Sequence, residues 1–177
     1  MQQGPHQPGQ GMPSPPVTAS EVRATEFTFG LPPGWRPASP NELHQASYQD
    51  AGGQALMVAG AYGPGYDGYW CNLTVGRLDW ALDPAWMQHI QAGGLIQIRV
   101  QQGWRPLSPP RWMSVGGTQA HAMSYTMLAM GQLLEGTELI VPRPATVYRV
   151  LFSTRAQVHN LHWPDLMTVL QTWVWLA

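Results

Sequence analysis

The segment from Arg111 to Thr154 constrains the fold most, because it reads as three or four successive β-strands separated by turn residues. From Met113 to Met130 small and apolar residues follow in strand-like order, and the run breaks at Gly131-Gln132, where a hairpin turn fits. A second run, Leu133 to Val141, is rich in Leu, Ile, Val and Thr and stops at Pro142-Arg143-Pro144-Ala145. Proline cannot donate to a β-ladder, so those residues are expected in a connection. In the third run, Thr146 to Thr154, Val147, Arg149, Leu151 and Ser153 fall on one face. Tyr148, Val150, Phe152 and Thr154 fall on the other. The expectation is an antiparallel meander.

The flanking sequence supplies further elements. Phe27 and Phe29 alternate with polar or small neighbours over Glu26–Leu31 and give a strand closed by Pro32-Pro33-Gly34. A short helix or a wide loop is expected over Asn41–Tyr48. Strands are expected over Ala55–Tyr62 and Tyr69–Leu78, joined by a loop from Gly63 to Gly68. Asp83-Pro84 opens the most helical stretch, with Asp83 placed to cap and Pro84 at the first position, where its missing N–H costs nothing. Gly93-Gly94 weakens the middle of this stretch, and Ile96, Ile98 and Val100 alternate like a strand, yet a helix to about Gln101 is favoured. Gly103–Pro110 is then a connection. Trp163-Pro164-Asp165 starts a closing helix with Leu166, Met167, Val169 and Leu170 inward, and Trp173 and Trp175 extend it as a short strand.

At 177 residues the chain suits one domain with a sizeable core. Residues 1–22 are rich in Gln, Gly and Pro and are expected to be a disordered tail, leaving 23–177 as the folded unit. The tail lacks the basic start and apolar middle of a secretory signal, so a cytoplasmic location is the default. Charged side chains make up 11% of the chain, well below the usual fraction of about a quarter. The net charge is −1, every basic side chain is one of nine scattered arginines, and nucleic acid is not an expected partner. No apolar run approaches the ~20 residues that span a bilayer. The single cysteine, Cys71, has no intrachain disulfide partner.

The order of elements resembles the PsbP-like superfamily, whose branches include DcrB-type bacterial proteins, LpqN-type lipoproteins and Mog-type proteins. The likeness rests on Phe29-Gly30-Leu31-Pro32-Pro33-Gly34-Trp35, the central helix, Val115-Gly116-Gly117-Thr118-Gln119-Ala120, the turn at Gly131-Gln132, the strand Thr146–Thr154 and a final helix. It spans residues 25 to 177. The resemblance implies an α+β fold, an α/β/α sandwich with a central antiparallel sheet and helices on both faces. It also implies a binding or assembly protein, not an enzyme, such as an adaptor or a chaperone of the Eag type that shields an apolar segment of a secreted effector.

The residues themselves offer several sites. Tyr62, Tyr66, Tyr69 and Trp70 are separated by glycines and can present flat apolar area to a protein partner with little side-chain entropy to lose. The competing expectation is an ordinary hairpin whose tyrosines fold back on the sheet. Met113, Met123, Met127 and Met130 cluster on the meander and suggest an adaptable apolar groove, with core packing favoured over it. His159, His162 and Asp165 have a spacing that brings three ligands together on a helix, but Pro164 argues for a loop there, and no metal or cofactor is expected. Cys71 in a strand is expected to be inert, and no serine sits in a nucleophile elbow. Gly116-Gly117 reads as a turn. The leading expectation is a non-catalytic protein-binding module, with a homodimer as one form it could take. A domain binding a small apolar ligand stands second and an enzyme third.

Overall fold

The computed structural model describes residues 20–46, 48–50, 53–78, 84–91, 94–129 and 131–176. Three short strands, β1 (Glu21–Arg23), β2 (Phe27–Gly30) and β3 (Arg36–Pro37), precede helix α1 (Pro40–Ala46). Strand β4 (Tyr48–Asp50) leads to β5 (Gly53–Tyr66) and β6 (Tyr69–Arg77), and helices α2 (Pro84–Gln91) and α3 (Gly94–Gln101) follow. Next come β7 (Arg105–Pro106), β8 (Arg111–Val115), β9 (Thr118–Ala129), β10 (Gln132–Arg143) and β11 (Thr146–Arg155). Helix α4 (His159–Thr172) and strand β12 (Val174–Trp175) close the chain.

The long strands form one antiparallel sheet in the order β5-β6-β11-β10-β9. Its edges are covered piecewise: β3 and β4 pair along β5, while β7 and β8 pair along β9. Short, interrupted edge strands of this kind present little free backbone to another chain. The meander is as the alternation requires. Leu139 lies opposite Val150 and Ala122, and Tyr148, Val150 and Phe152 join the core.

One face of the sheet is apolar. Leu73, Val75, Val150 and Phe152 pack beneath Leu166, Val169 and Leu170 of α4. The same face is closed by a second, three-stranded sheet in the order β1-β2-β12. Phe27 and Phe29 of β2 stack on Trp173, with ring centroids 4.5 and 4.8 Å away. The cover on this face is α4 and a small sheet together. The opposite face meets α3 through Arg99, which hydrogen-bonds Glu138 of β10.

The Leu31–Trp35 segment shows why its residues matter. Pro32, Pro33 and Gly34 make a turn closed by the Trp35 N–H to the Pro32 carbonyl at 3.2 Å, with Gly34 at φ 80°. Trp35 is thereby laid under β5, where a Cβ at Gly63 would stand 2.4 Å from the indole. Its Nε1–H donates to Asp165 Oδ2 of α4 at 3.0 Å.

Several boundaries differ from expectation for physical reasons. Strands β5 and β6 run through most of the expected loop and turn only at Asp67-Gly68, with φ of 45° and 82°. That is the Asp-Gly pair a two-residue hairpin with two positive φ angles prefers. The run from Met113 divides at Gly116-Gly117, with φ of 54° and 78°, for the same reason. Pro142 lies within β10 opposite Val147, whereas the β9 pairing ends at Ile140, so the proline has a neighbouring strand on one side only. The single helix expected to about Gln101 is two, α2 and α3; Asp83 lies outside the described residues. Helix α4 begins at His159 and carries Pro164 inside it, which forfeits one ladder bond while Leu166, Val169 and Leu170 hold the helix on the core. Strand β1 starts within the expected tail, because Val22 is buried against the core.

Gly136 leaves room for the Tyr125 ring to lie across β10 on the same face of the sheet. A Cβ there would lie 2.6 Å from the Tyr125 hydroxyl and 2.9 Å from the Phe152 carbonyl oxygen. Gly136→Ala is expected to cost about 1–3 kcal/mol through overpacking. Phe152→Ala, which empties the other side of the same strands, is expected to cost roughly 3–5 kcal/mol. Urea denaturation followed by tryptophan fluorescence measures both.

Candidate functional site

The site begins at the end of α3. Gly103 has φ 84°, its N–H bonds the Val100 carbonyl at 3.0 Å, and the Trp104 N–H reaches back to the Arg99 carbonyl at 2.9 Å. This is a Schellman ending, which needs a left-handed residue and so favours glycine. It brings Trp104 beside Arg99. The indole stacks on Tyr125 of β9 with centroids 3.8 Å apart. The guanidinium carbons of Arg99 and Arg149 lie 5.0 and 5.7 Å from the Trp104 ring centroid, within cation–π range.

Glu138 sits at the centre of this arrangement. Its carboxylate accepts from Arg99 Nε at 3.1 Å and Arg99 Nη2 at 2.7 Å, a two-pronged contact, and also from Arg149 Nε. Arg99 Nη1 donates to Gln102 Oε1 at 2.9 Å. Glu138 is 0% exposed, Arg99 2% and Arg149 3%, so all three charges are removed from water. Strand register brings the pair on the sheet together: Glu138 is opposite Leu151 and Ile140 is opposite Arg149, which makes Glu138 and Arg149 diagonal neighbours. Burial lowers the pKa of Arg149 to about 9. Desolvation, followed by the Glu138 charge, pushes the Tyr125 hydroxyl well above the ordinary phenol value.

Beside this cluster is a cavity of about 300 Å³. Trp104, Tyr125, Met127, Leu134 and Leu151 give it apolar walls, and Arg99 and Arg149 stand at one end. Tyr69, Asn72 and Ser153 also line it. Tyr69 Oη and Ser153 Oγ are 2.8 Å apart, and Asn72 Nδ2 donates to Tyr69 Oη at 2.9 Å. The volume lies at the lower end of the roughly 300–1,000 Å³ typical of small-molecule sites.

The aromatic residues singled out in sequence do not form one rim. Tyr62 lies under the Arg36 guanidinium at 4.9 Å, Tyr66 Oη is 2.8 Å from His162 Nε2, and Tyr69 belongs to the cavity. Trp70 alone of the four is largely exposed, at 59%, and its ring rests against Gly65. The tyrosines fold back because β5 and β6 continue as strands to a two-residue turn, leaving no loop to carry them outward. The methionines also separate. Met113 pairs opposite Ala120 and lines a different cavity, of about 500 Å³, with Met167, Leu170 and Trp173. Met123 and Met127 face the other side of the sheet, opposite Glu138 and Leu134, and Met123 is fully buried. Met127 reaches the Arg99 cavity, and Met130 lies outside the described residues.

Sequence reasoning missed Arg99, Glu138, Arg149 and Trp104. Two signals were available. Glu138 interrupts the apolar run of β10 at an interior position, and Gln102-Gly103-Trp104 ends α3 with the residues of a left-handed cap.

His159, His162 and Asp165 share α4 but face different partners. His159 Nδ1 is 3.1 Å from Thr154 Oγ1, and its Nε2 is 3.6 Å from Glu135. His162 Nδ1 lies 2.7 Å from Asp165 Oδ2. A carboxylate only accepts, so Nδ1 carries the proton and the Tyr66 hydroxyl donates to Nε2. Among the described residues no three His, Cys, Asp or Glu side chains converge on one point. Cys71 is fully buried, and burial pushes its thiol up to about 11.

No protein-family model and no characterised sequence matches the chain. Solved structures do. LpqN of Mycobacterium tuberculosis, involved in cell envelope biogenesis, superposes with a TM-score of 0.57 at 12% identity, covering 88% of this chain and 92% of LpqN. PA94 of Pseudomonas aeruginosa, a protein of unknown function described as a putative regulator, gives 0.56 at 15% identity over 78% of this chain and 94% of its own. Cyanobacterial PsbP from Synechocystis sp. PCC 6803 gives 0.55 at 10% identity over 94% and 98%. The chain therefore has a PsbP-like fold, of the kind also found in LpqN. At these identities the likeness is one of fold.

Burial depresses the pKa values of His121 and His159 below the usual imidazole value. Below the ordinary pKa near 6.5 the unfolded chain therefore binds more protons than the folded one, so stability falls as pH drops through that value. The urea midpoint is expected to be lower at pH 5.5 than at pH 7.5. His159→Gln is expected to reduce that difference, and an unchanged difference would remove His159 as a contributor.

Proposed function

We propose that this chain is a non-catalytic binding module whose site is the cavity between α3 and the central sheet, occupied by a small, largely apolar ligand. The supporting observation is a walled space of about 300 Å³ with apolar sides and a fixed polar cluster at one end. Most small-molecule sites share that combination. On this reading α2 and α3 complete the helical layer of the sandwich, and α3 also forms one wall of the site. On this reading the site binds without catalysing: the nearby hydroxyls of Tyr69 and Ser153 bond each other, and among the described residues that line the cavity none is a carboxylate or an imidazole.

A second reading, a protein-docking surface for a partner such as an apolar effector segment, is favoured by one end of the sheet. Trp70 is 59% exposed, and Leu128 and Leu133, cross-strand partners at the β9–β10 tip, are 73% and 48% exposed. The two hairpin tips are tied by Gln132 Nε2 donating to the Asp67 carbonyl at 2.9 Å. Exposed apolar area gathered at one end is how many interaction sites begin.

Ligand-observed NMR against a set of neutral and charged aromatic fragments tests the first reading. Binding is expected in the wild type, and Met127→Trp, which fills the cavity, is expected to abolish it. If no fragment binds, or if the binders persist in Met127→Trp, the cavity is not the site. For the second reading, Trp70→Ala combined with Leu128→Ser is expected to weaken a co-purifying protein partner at least ten-fold, about 1.4 kcal/mol.

A further inference from the structure

We infer that the cavity between β8 and α4 is a second binding site, taking a small neutral apolar molecule whose carbonyl or other uncharged acceptor meets the indole N–H of Trp173. This cavity lies on the opposite face of the sheet from the α3 cavity and binds independently of it.

An unmatched donor carries the argument. Trp173 is 3% exposed, and its Nε1–H finds no acceptor among the described residues. Trp175, two residues on, donates from its own Nε1 to the Val115 carbonyl at 3.1 Å. Stacking on Phe27 and Phe29 fixes the plane of the Trp173 ring, so the core sets the direction of its donor. That edge of the ring lies at the cavity. A Cβ on Gly116 would stand 2.9 Å from Trp173 Cδ1, the carbon bonded to Nε1, and Gly116, Gly117 and Trp173 all line the space. An indole donor buried with nothing to accept from it forfeits the bond it makes with water in the unfolded chain. A ligand oxygen seated at the Gly116-Gly117 turn restores such a bond.

The lining sets the rest of the ligand. The cavity holds about 500 Å³, within the roughly 300–1,000 Å³ of small-molecule sites. Met167 and Leu170, at i and i+3 on α4, form one wall, and Met113 of β8 belongs to the other. Methionines on both sides let the walls adapt to the outline of an apolar body. No charged side chain is among the described residues that line the cavity, so a carboxylate or an ammonium group would shed its water with no counter-charge in return. Ser114 and Gln171 also line it but are exposed, which leaves their polar groups with solvent. The buried indole N–H therefore matches a single acceptor on an otherwise apolar molecule.

Two-dimensional NMR of the full chain with 4-tert-butylcyclohexanone, its methylidene analogue and 4-tert-butylcyclohexanecarboxylate tests the inference, because the three probes differ only in the polar group on one ring. The ketone is expected to bind, to shift the Met113 and Met167 methyls, and to move the Trp173 indole proton downfield, that proton being identified by cross-relaxation with Gly116. Trp173→Phe is expected to weaken the ketone about ten-fold and the methylidene analogue less than about two-fold, because only the ketone uses the donor. Met167→Trp, at a partly buried position of α4, is expected to abolish binding of both, and Met127→Trp to leave it unchanged. If Trp173→Phe does not fold, the wild-type indole proton decides: a ketone that shifts the methyls and leaves that proton in place overturns the acceptor assignment. Equal losses for the two probes in folded Trp173→Phe, or a carboxylate that binds as tightly as the ketone, overturn it as well. Absence of ketone binding, binding with the Met113 and Met167 methyls unmoved, or loss of binding in Met127→Trp removes the site.

Discussion

A single carboxylate deep in the sheet organises the second face of this molecule. Glu138 has no exposure to water and accepts from both Arg99 and Arg149. Moving such charges from water into protein costs several kcal/mol per ion even after relaxation, so each is tolerable only with its partners in place. The arginine on β11 is positioned by strand register, and the arginine on α3 must be delivered by a helix. That requirement accounts for a charged residue on the inner side of α3: Arg99 is buried while Val100 beside it is half exposed. Ile96 and Ile98 are partly buried beside it. The ion cluster turns the arginine inward.

On the first face the forces are the ordinary ones, and they hold the molecule together. Phe27, Phe29, Trp35 and Trp173 fill the space between the sheet and its cover of α4 and β1-β2-β12. A hydrogen-bonded chain runs through that layer from Tyr66 to His162 to Asp165, with Trp35 donating to the same carboxylate. It joins the β5–β6 hairpin to α4 and to the turn after β2. Tyr66, which reads as part of a binding rim, and His162 and Asp165, which read as part of a metal site, thus belong to one internal brace.

How much of this the sequence disclosed depends on the kind of signal. Alternation assigned Val147 through Thr154 of β11 to their correct faces, since period-two patterns need no distant information. The turns at Gly116-Gly117 and Gly131 carry positive φ, as their glycines allow. The extension of β5 and β6 to Asp67-Gly68 was hidden because Gly63, Pro64 and Gly65 look like loop residues, while Gly63 is there to let Trp35 approach. Pro164 concealed the start of α4 for a similar reason: packing outweighed local preference. The candidate cavity was least legible. Its three charges come from α3, β10 and β11, and only pairing of distant segments reveals that one carboxylate serves two arginines.

Amide hydrogen exchange on the wild type and on Glu138→Gln tests most directly whether this carboxylate holds α3 over the sheet. The account predicts that residues 94–104 lose protection by orders of magnitude in the variant, while the ladder amides that pair β6, β11 and β10 beneath the aromatic layer stay slow. Unchanged protection across 94–104, or an equal loss throughout the sheet, would contradict it.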